Sequence, residues 1–236
     1  MKNITIVGAG YVGLVTGAGM AEFGNEVICV DIDKNKISQL KSGSIPIYEP
    51  GLEEIINRNV KSKRLYFSDD ISLSIQKSQV LIIAVGTPQT SSGDANMEYV
   101  NSVVGVIKQN LNEYKIICTK STVPIGTGGG IIKTLSNDFE EGVDFDYVSN
   151  PEFLREGSAV KDFLWPDRII IGTTSDRAYD IMCDIYRPLY INKNPIKYTT
   201  VETAEMIKYA SNSFLALKIS YINEIANLCE AVGADI

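Results

Sequence analysis

Short apolar segments alternate along the chain with amphipathic ones, and this alternation predicts the fold. Seven segments are rich in β-branched residues and almost continuously hydrophobic, which favours strands buried on both faces of a sheet. The predicted strands are residues 3–8, 26–32, 64–68, 79–85, 115–121, 145–150 and 168–172. The helical pattern recurs near residues 11–24, 34–42, 51–60, 70–77, 97–113, 127–136 and 174–190. The order predicts an α/β fold with a doubly wound, mostly parallel sheet.

One long helix is predicted after this alternating region. It follows a break at residues 191–203 and runs from about 201 to 232, with Thr200 or Thr203 as N-cap and Gly233 at its end. Such a helix is about 45 Å long, which is more than the surface of one small domain covers. We therefore divide the chain into residues 1–200 and a helix of residues 201–236, and we expect a second domain or a second copy to pack against that helix.

The composition of the chain argues against several classes of function. The formal charge of −7 argues against a nucleic-acid partner, and the chain has no apolar run long enough to predict a membrane span. The absence of histidine excludes a Ser-His-Asp triad and, since no cysteine cluster has metal spacing, predicts no metal site. Four cysteines in apolar or helical contexts predict buried thiols in a reducing cytoplasm: Cys29, Cys118, Cys183 and Cys229.

The sequence GAGYVG at residues 8–13 follows the first strand directly and begins a helix. Gly8 suits a tight turn, Gly10 lets the backbone approach a pyrophosphate, and Gly13 lets the helix pack close to the strand. The N–H groups at the start of the helix, which include those of Tyr11 and Val12, are then available to phosphate oxygens. This pattern predicts a Rossmann-like dinucleotide site.

The second strand supports that interpretation because it ends in an acidic residue. Asp31 lies 18 residues after Gly13, where a carboxylate accepts hydrogen bonds from the adenosine ribose and repels a 2′-phosphate. NAD is therefore favoured over NADP as the cofactor. Lys36, five residues further on, reaches the same region and leaves that preference open.

Two more motifs follow predicted strands. AVGTP (84–88) places Gly86 and Thr87 at the end of the fourth strand, and KSTVPIGT (120–127) places the hydroxyls of Ser121 and Thr122 at the end of the fifth. The carboxyl ends of parallel strands meet at one edge of a sheet, so all four residues are expected near the cofactor. Taken singly, each motif is equally compatible with an ordinary turn or helix cap.

Charged groups come from two further segments. SNPEFLREG (149–157) carries Glu152 and Glu156, which share a face if the segment is helical, although acids at a helix N-terminus are also common on surfaces. Within the long helix, Lys208 and Asn212 are four residues apart and lie on one face. They are either a solvated edge or part of a site.

The motifs together closely resemble the UDP-glucose/GDP-mannose dehydrogenase family over the whole chain. The similar stretches are ITIVGAGYVG, CVDID, IYEPGLEE, AVGTP, STVPIGT, NPEFLREG, PDRIIIG and EMIKYASNSFLALKISYINEIANLCEAVG. The resemblance implies an enzyme that uses two NAD⁺ to oxidise the C6 alcohol of a nucleotide sugar to a carboxylate. UDP-glucose, giving UDP-glucuronate as a polysaccharide precursor, is the expected substrate; GDP-mannose and UDP-N-acetylmannosamine stay open. It also implies a homodimer built on the helix of residues 201–236.

The resemblance also implies roles for individual residues. Thr122 and Glu152 would handle the hydrolytic water, and Glu156 would lie on the nicotinamide side of the cleft. Lys208 and Asn212 would stabilise the oxyanion at C6 and contact the sugar. The backbone of Glu152, Phe153, Leu154 and Arg155 would hold the nucleotide sugar.

One departure from the family concerns its nucleophilic cysteine, which lies in a glycine-rich segment after the long helix. This chain stops at Ile236, before that segment. We therefore expect the N-terminal part of a longer enzyme, able to bind the cofactor and inactive alone. An alternative of another class is a non-catalytic NAD-binding module whose helix serves only for assembly.

Overall fold

The apolar segments form one sheet of eight strands among residues 1–192 and 196–236, which a computed structural model describes. The strands are β1 (Asn3–Val7), β2 (Glu26–Val30), β3 (Leu65–Ser68), β4 (Val80–Ile83), β5 (Lys115–Thr119), β6 (Phe145–Ser149), β7 (Ile169–Gly172) and β8 (Ile196–Thr199). Their order across the sheet is β3-β2-β1-β4-β5-β6-β7-β8. All neighbouring strands pair in parallel except β6 and β7, which meet antiparallel at Ser149 and Gly172.

Helices connect these strands and cover both faces of the sheet. They are α1 (Tyr11–Glu22), α2 (Lys34–Lys41), α3 (Leu52–Lys61), α4 (Ile71–Lys77), α5 (Glu98–Asn110), α6 (Thr127–Leu135), α7 (Ala159–Leu164), α8 (Asp176–Ile185) and α9 (Val201–Val232). A 3₁₀ turn (Arg187–Asn192) follows α8. The prediction of a doubly wound, mostly parallel sheet followed by a long helix is confirmed.

The sheet separates two apolar clusters, and successive side chains of β4 point alternately into one cluster and the other. Val80 and Ile82 pack into the cluster that contains α1, α3 and α8, while Leu81 and Ile83 pack into the cluster on the other face. A strand buried on both faces has to be apolar at every position, which explains the continuous hydrophobicity of these segments.

Three short elements were not predicted from the sequence, namely α7, the 3₁₀ turn and β8. The six-residue α7 lies in a segment with little helical periodicity, and the predicted helix of residues 174–190 divides into α8 and the 3₁₀ turn. Strand β8 lies at the sheet edge within the predicted break of residues 191–203, and residues 193–195 of that break lie outside the described residues. Strands this short, with partly exposed side chains, carry a weak pattern.

The first turns of α9 pack directly on the sheet. The Thr200 hydroxyl accepts a hydrogen bond from the N–H of Thr203, as predicted for an N-cap, and Gly233 ends the helix with φ of 72°. Gly172 in β7 makes the close packing possible, since an added Cβ would lie 2.6 Å from the carbonyl oxygen of Thr200. The N-terminal end of α9 therefore belongs to the same packed body as the sheet.

Beyond its first turns, α9 leaves the sheet and exposes large apolar side chains. Its 32 residues correspond to about 48 Å. The exposed apolar residues include Phe214, Leu215, Leu217, Tyr221, Leu228 and Val232. Among the helices in the described part of the chain, none has the length and hydrophobicity needed to cross a bilayer.

The prediction of four buried thiols is wrong for two of them. Cys29 and Cys118 are buried strand residues, whereas Cys183 on α8 and Cys229 on α9 are partly exposed. The last two lie on helices that turn part of their surface to solvent. Burial raises the pKa of the Cys29 and Cys118 thiols to about 12, so neither supplies a thiolate at neutral pH.

Candidate functional site

The strand order reverses between β1 and β4, and the crevice at this reversal is where open α/β sheets bind ligands. The predicted site segments all follow strands of this region at their carboxyl ends: residues 8–13 after β1, Asp31 after β2, residues 84–88 after β4, residues 120–127 after β5 and residues 150–157 after β6.

The turn of residues 8–13 has the geometry that a dinucleotide requires. Gly8 adopts φ of 105°, and an added Cβ would lie 2.7 Å from the carbonyl oxygen of Ala84. An added Cβ at Gly13 would collide with the Gly8 carbonyl oxygen, while the space around Gly10 is open to 4 Å. Helix α1 begins at Tyr11, and its first N–H groups have no partner within the helix. The turn therefore fits a bound pyrophosphate.

Asp31 is held in place by the same turn. One of its carboxylate oxygens accepts the N–H of Ala9 at 2.9 Å and the other accepts the N–H of Asp33 at 3.0 Å. Lys36 Nζ forms an ion pair with Asp31 at 2.9 Å. Burial alone would raise the pKa of Asp31, but the bonds from Asp33, Lys36 and Ala9 lower it below its usual range. Asp31 is therefore an ionised acceptor beside the dinucleotide turn.

The ends of β4 and β5 are joined through their hydroxyl residues. Thr87 donates its hydroxyl to the carbonyl oxygen of Thr122 at 2.8 Å, and Ser121 donates to the carbonyl oxygen of Val85 at 2.6 Å. Gly86 between them is exposed. These four predicted residues thus form one rim, which faces the crevice at the strand reversal.

A second concave region, a cleft of about 520 Å³, lies between the end of β6 and α9. All six residues predicted to contact the substrate line this cleft: Glu152, Phe153, Leu154, Arg155, Lys208 and Asn212. Thr122 is not among the residues that line it and stays on the neighbouring rim. The structure therefore brings the predicted substrate residues together and keeps one predicted catalytic residue apart from them.

Lys208 and Glu152 form the central contact of this cleft. Lys208 Nζ lies 2.8 Å from Glu152 Oε1, and the two side chains are only 7% and 11% exposed. The other Glu152 oxygen accepts the N–H of Leu154. Asn212 lies one turn further along α9 at the exposed edge of the cleft. An ammonium and an amide on one rigid helix can act as fixed hydrogen-bond donors to a negatively charged group in the cleft.

The Phe153 ring packs between two cations. The Arg168 guanidinium stacks 4.2 Å from the ring centroid, and Lys208 Nζ lies 5.4 Å from it. Arg168 also donates to the Ser211 hydroxyl of α9 at 3.2 Å. Arg168 thus ties the segment after β6 to the long helix, a contact that sequence spacing does not reveal.

The segment that carries Glu152 and Glu156 is not helical, so the two carboxylates do not share a helix face. The N–H groups of Leu154 and Arg155 donate to the carboxylates of Glu152 and Asp162, and α7 begins only at residue 159. Glu156 is exposed, and its charge contributes to raising the pKa of Tyr11, next to the dinucleotide turn. Arg155 turns outward and forms an ion pair with Asp162 at 2.7 Å, a bond that lowers the pKa of that carboxyl.

Two buried charged residues near the cleft were missed. Lys120 is buried, with Asn150 Oδ1 at 3.3 Å and the Tyr186 hydroxyl at 3.4 Å from its Nζ, and burial lowers its pKa to about 8. Glu205, on α9, accepts the N–H groups of Gly126 at 2.6 Å and Gly128 at 2.7 Å. A signal existed for both, since Lys120 opens the KSTVP motif and Glu205 precedes Lys208 by three residues.

Comparison with known proteins agrees with this geometry. Residues 2–190 match the NAD binding domain of the UDP-glucose/GDP-mannose dehydrogenase family, and residues 202–236 match its central domain. A UDP-glucose 6-dehydrogenase of Rhizobium meliloti (strain 1021) is 50% identical over 99% of this chain and 54% of its own length. The chain thus spans about half the length of the curated relatives it matches.

Solved structures give the same result. A UDP-glucose dehydrogenase of Pyrobaculum islandicum is 38% identical, with a TM-score of 0.93 over 100% of this chain and 54% of its own. A GDP-mannose dehydrogenase of Pseudomonas aeruginosa, solved as a ternary complex, is also 38% identical, with a TM-score of 0.94 over 99% of this chain and 54% of its own. Since the family model covers most of the chain and the dinucleotide turn has the required geometry, the chain belongs to the UDP-glucose/GDP-mannose dehydrogenase family.

Proposed function

We propose that the chain supplies the NAD-binding half of an enzyme that oxidises the C6 alcohol of UDP-glucose to a carboxylate. The observation that carries this proposal is the buried ion pair of Lys208 and Glu152 in a cleft beside the dinucleotide turn. A helix that served only for assembly would have no reason to bury a lysine against that cleft. The pair therefore favours a catalytic role over the non-catalytic module.

The cofactor contacts in this proposal come from the segments around the strand reversal. The N–H groups of residues 11–13 hold the pyrophosphate, and Asp31, with Lys36 beside it, faces the adenosine ribose. The rim of Gly86, Thr87, Ser121 and Thr122 lines the path towards the nicotinamide, and Glu156 lies on that side. Bound NAD⁺ supplies the hydride acceptor.

In this proposal, residues of the chain stabilise the negative charge at C6 and hold the hydrolytic water. Lys208 and Asn212 donate hydrogen bonds to the oxygen at C6, where negative charge develops during each oxidation. Glu152 holds the water that hydrolyses the oxidised intermediate, and the backbone of residues 152–155 orients the sugar, while Thr122 acts from the neighbouring rim. Neither Cys29 nor Cys118 supplies the nucleophilic thiol, because burial raises the pKa of both to about 12.

UDP-glucose is preferred as the substrate because relatives named UDP-glucose 6-dehydrogenase reach 50% identity. GDP-mannose and UDP-N-acetylmannosamine are the alternatives, since dehydrogenases of both sugars share the fold at 38% and 30% identity. The test is an assay of the full-length protein with each of the three nucleotide sugars. We expect NADH formation with UDP-glucose, at two NADH per sugar. Equal or faster oxidation of another sugar would overturn the substrate assignment.

We also propose that the chain assembles as a homodimer through α9, in a reducing cytoplasm. The exposed apolar stripe of α9 would pack on the same stripe of a second copy, which is the usual isologous arrangement. This proposal keeps the division of the chain into a domain of residues 1–200 and a helix of residues 201–236. The N-terminal end of α9 lines the cleft, and the rest of the helix forms the dimer interface. Sedimentation of the full-length protein tests this, and a monomer at micromolar concentration would contradict it.

A further inference from the structure

Glu49 is a buried carboxylate in the YEPG motif, to which the proposed mechanism gives no role. It is 5% exposed, and it lies in the loop between α2 and α3. One carboxylate oxygen accepts the N–H of Gly157 at 2.9 Å, and the other accepts the N–H of Ala159 at 2.6 Å. Hydrogen bonds from backbone N–H groups to an ionised carboxylate are among the stronger ones in proteins.

These bonds fix the far end of the segment that carries Glu152. Gly157 adopts φ of 82°, and Ala159 is the first residue of α7. The N-cap residue of α7, Ser158, makes no capping bond with its side chain, so Glu49 takes over this function. Lys208 holds the near end of the segment through Glu152. Residues 152–159 are thus held by two charged groups that come from distant parts of the chain.

Glu49 also lies beside Tyr11, the first residue of α1. The Tyr11 hydroxyl is buried and makes no hydrogen bond to a described residue. Burial is the main cause that raises its pKa, followed by the charges of Glu49 and Glu156. The loop of Glu49 is therefore bonded to the segment of residues 152–159, and it lies beside the turn of residues 8–13 without a hydrogen bond to it.

We propose that Glu49 is a positioning residue of the nucleotide-sugar cleft, because it fixes the Gly157–Ala159 backbone and thereby the placement of Glu152 against Lys208. This inference rests on the proposed function of the cleft. It assigns to the YEPG motif a role on the sugar side of the reaction, acting through the backbone and without contact to the reacting atoms. The cofactor side is held separately by Asp31 and the Gly8–Gly13 turn.

The test compares Glu49→Gln with Glu53→Gln in the full-length protein. Glu53 is an exposed residue of α3, and its substitution changes the net charge by the same amount. Displacement of a positioning segment reduces turnover, so we expect kcat/KM for UDP-glucose to fall roughly 10- to 100-fold in Glu49→Gln. The Kd for NAD⁺ should stay within about twofold of that of Glu53→Gln. A value of kcat/KM for the sugar equal to that of Glu53→Gln would overturn the inference, as would equal losses for NAD⁺ and sugar.

A second variant covers the case in which Glu49→Gln does not fold. Gly157 has open space around it, so Gly157→Ala disturbs only the backbone conformation that Glu49 holds. We expect the same selective loss on the sugar side. Wild-type kinetics with Gly157→Ala would contradict the proposal.

Hydrogen exchange on the 236-residue chain separates this inference from the proposed function. In Glu49→Gln the amides of Gly157 and Ala159 should exchange roughly 10- to 100-fold faster than in Glu53→Gln, because each loses a charged acceptor. If the full-length protein oxidises no nucleotide sugar, the proposed function is wrong, and the role of Glu49 in positioning the nucleotide-sugar cleft is wrong with it. If the protein is active and the two amides exchange at unchanged rates, the inference alone fails.

Discussion

Lys208 on α9 and Glu152 after β6 form a buried ion pair across 56 residues of sequence, with 2.8 Å between Nζ and Oε1. The pair joins the long helix to the carboxyl edge of the sheet. The N-terminal end of α9 is therefore a wall of the cleft, although most of the helix lies outside the sheet domain. This contact links the fold to the proposed chemistry, and it is open to a direct test.

Replacing Lys208 by methionine should impair activity and stability by different routes. In the full-length protein we expect the rate of UDP-glucose oxidation to fall by about 10²–10³, because a fixed donor to the developing oxyanion is lost. The isolated chain should lose up to about 3–5 kcal/mol of stability, since Glu152 is left buried without a partner. Denaturant melts and NADH formation measure the two effects.

Two controls separate these effects. Lys61→Met, at an exposed position of α3, should change neither quantity. The double variant Lys208→Met with Glu152→Gln should recover most of the stability and none of the activity. Activity of Lys208→Met close to that of Lys61→Met would contradict the role assigned to Lys208.

Asp31 should decide which dinucleotide binds. Asp31→Ala removes a carboxylate that the turn of residues 8–13 holds in an ionised form, so NAD⁺ should bind roughly 10- to 100-fold more weakly. NADP⁺ should be affected less, because its 2′-phosphate no longer meets a negative charge. Calorimetric titration of the chain measures both, and the exposed Asp69→Asn is the charge-matched control. Equal effects of the two variants on NAD⁺ would contradict this assignment.

The buried Lys120 predicts a specific pH dependence of stability. Its pKa is lowered from 10.5 to about 8, chiefly by burial, while the charge of Glu152 raises it and that of Lys208 lowers it further. Between these two values the unfolded chain binds more protons than the folded chain, so the free energy of unfolding rises with pH. Below pH 8 the cost of burying the ammonium is fully present.

Comparison with Lys120→Met isolates this effect. The stability of the wild type relative to the variant should rise by up to about 3 kcal/mol between pH 8 and pH 10.5. Urea melts at several pH values measure the difference, in which the titration of all other groups cancels. A difference that does not change with pH would show that Lys120 titrates at its ordinary value.

Glu205 should hold α9 to the loop after β5. Glu205→Ala leaves the N–H groups of Gly126 and Gly128 without partners, and we expect a loss of about 2–4 kcal/mol. Glu205→Gln should cost less, because the amide oxygen still accepts one of the two bonds. Glu202→Ala, at an exposed position one turn earlier, should have little effect. Denaturant melts rank the three variants, and equal stability of Glu205→Ala and Glu202→Ala would contradict the proposed contact.

The periodic parts of the fold could be predicted from the sequence, because burial on both faces of the sheet forces continuous hydrophobicity. The seven segments from β1 to β7 and the long α9 carry that pattern over enough residues to be clear. The six-residue α7 and the edge strand β8 do not, since their side chains are partly exposed. The antiparallel pairing of β7 is also beyond a local pattern, because it rests on a single register pair.

The motifs predicted the location of the site better than its contacts. Residues 8–13, Asp31 and Thr87 lie at strand ends, and topology alone brings such ends together. Partners distant in sequence were not predictable, as with Arg168 stacked on Phe153 or Glu49 bound to Gly157. Such contacts depend on where loops cross the sheet edge, which spacing along the chain does not encode. Glu152 and Glu156 were predicted to share a face only if their segment is helical, and this condition is not met, because the N–H groups of Leu154 and Arg155 donate to side-chain carboxylates.

An NMR titration of the 236-residue chain with NAD⁺ locates the cofactor directly and needs no other part of the full-length protein. We predict saturable shifts of the amides of residues 8–13, Asp31, Gly86, Thr87 and Ser121 at millimolar NAD⁺ or below. The exposed amides of α9 beyond Asn212 should not shift. The absence of saturable shifts at millimolar NAD⁺, or shifts confined to other segments, would contradict the account.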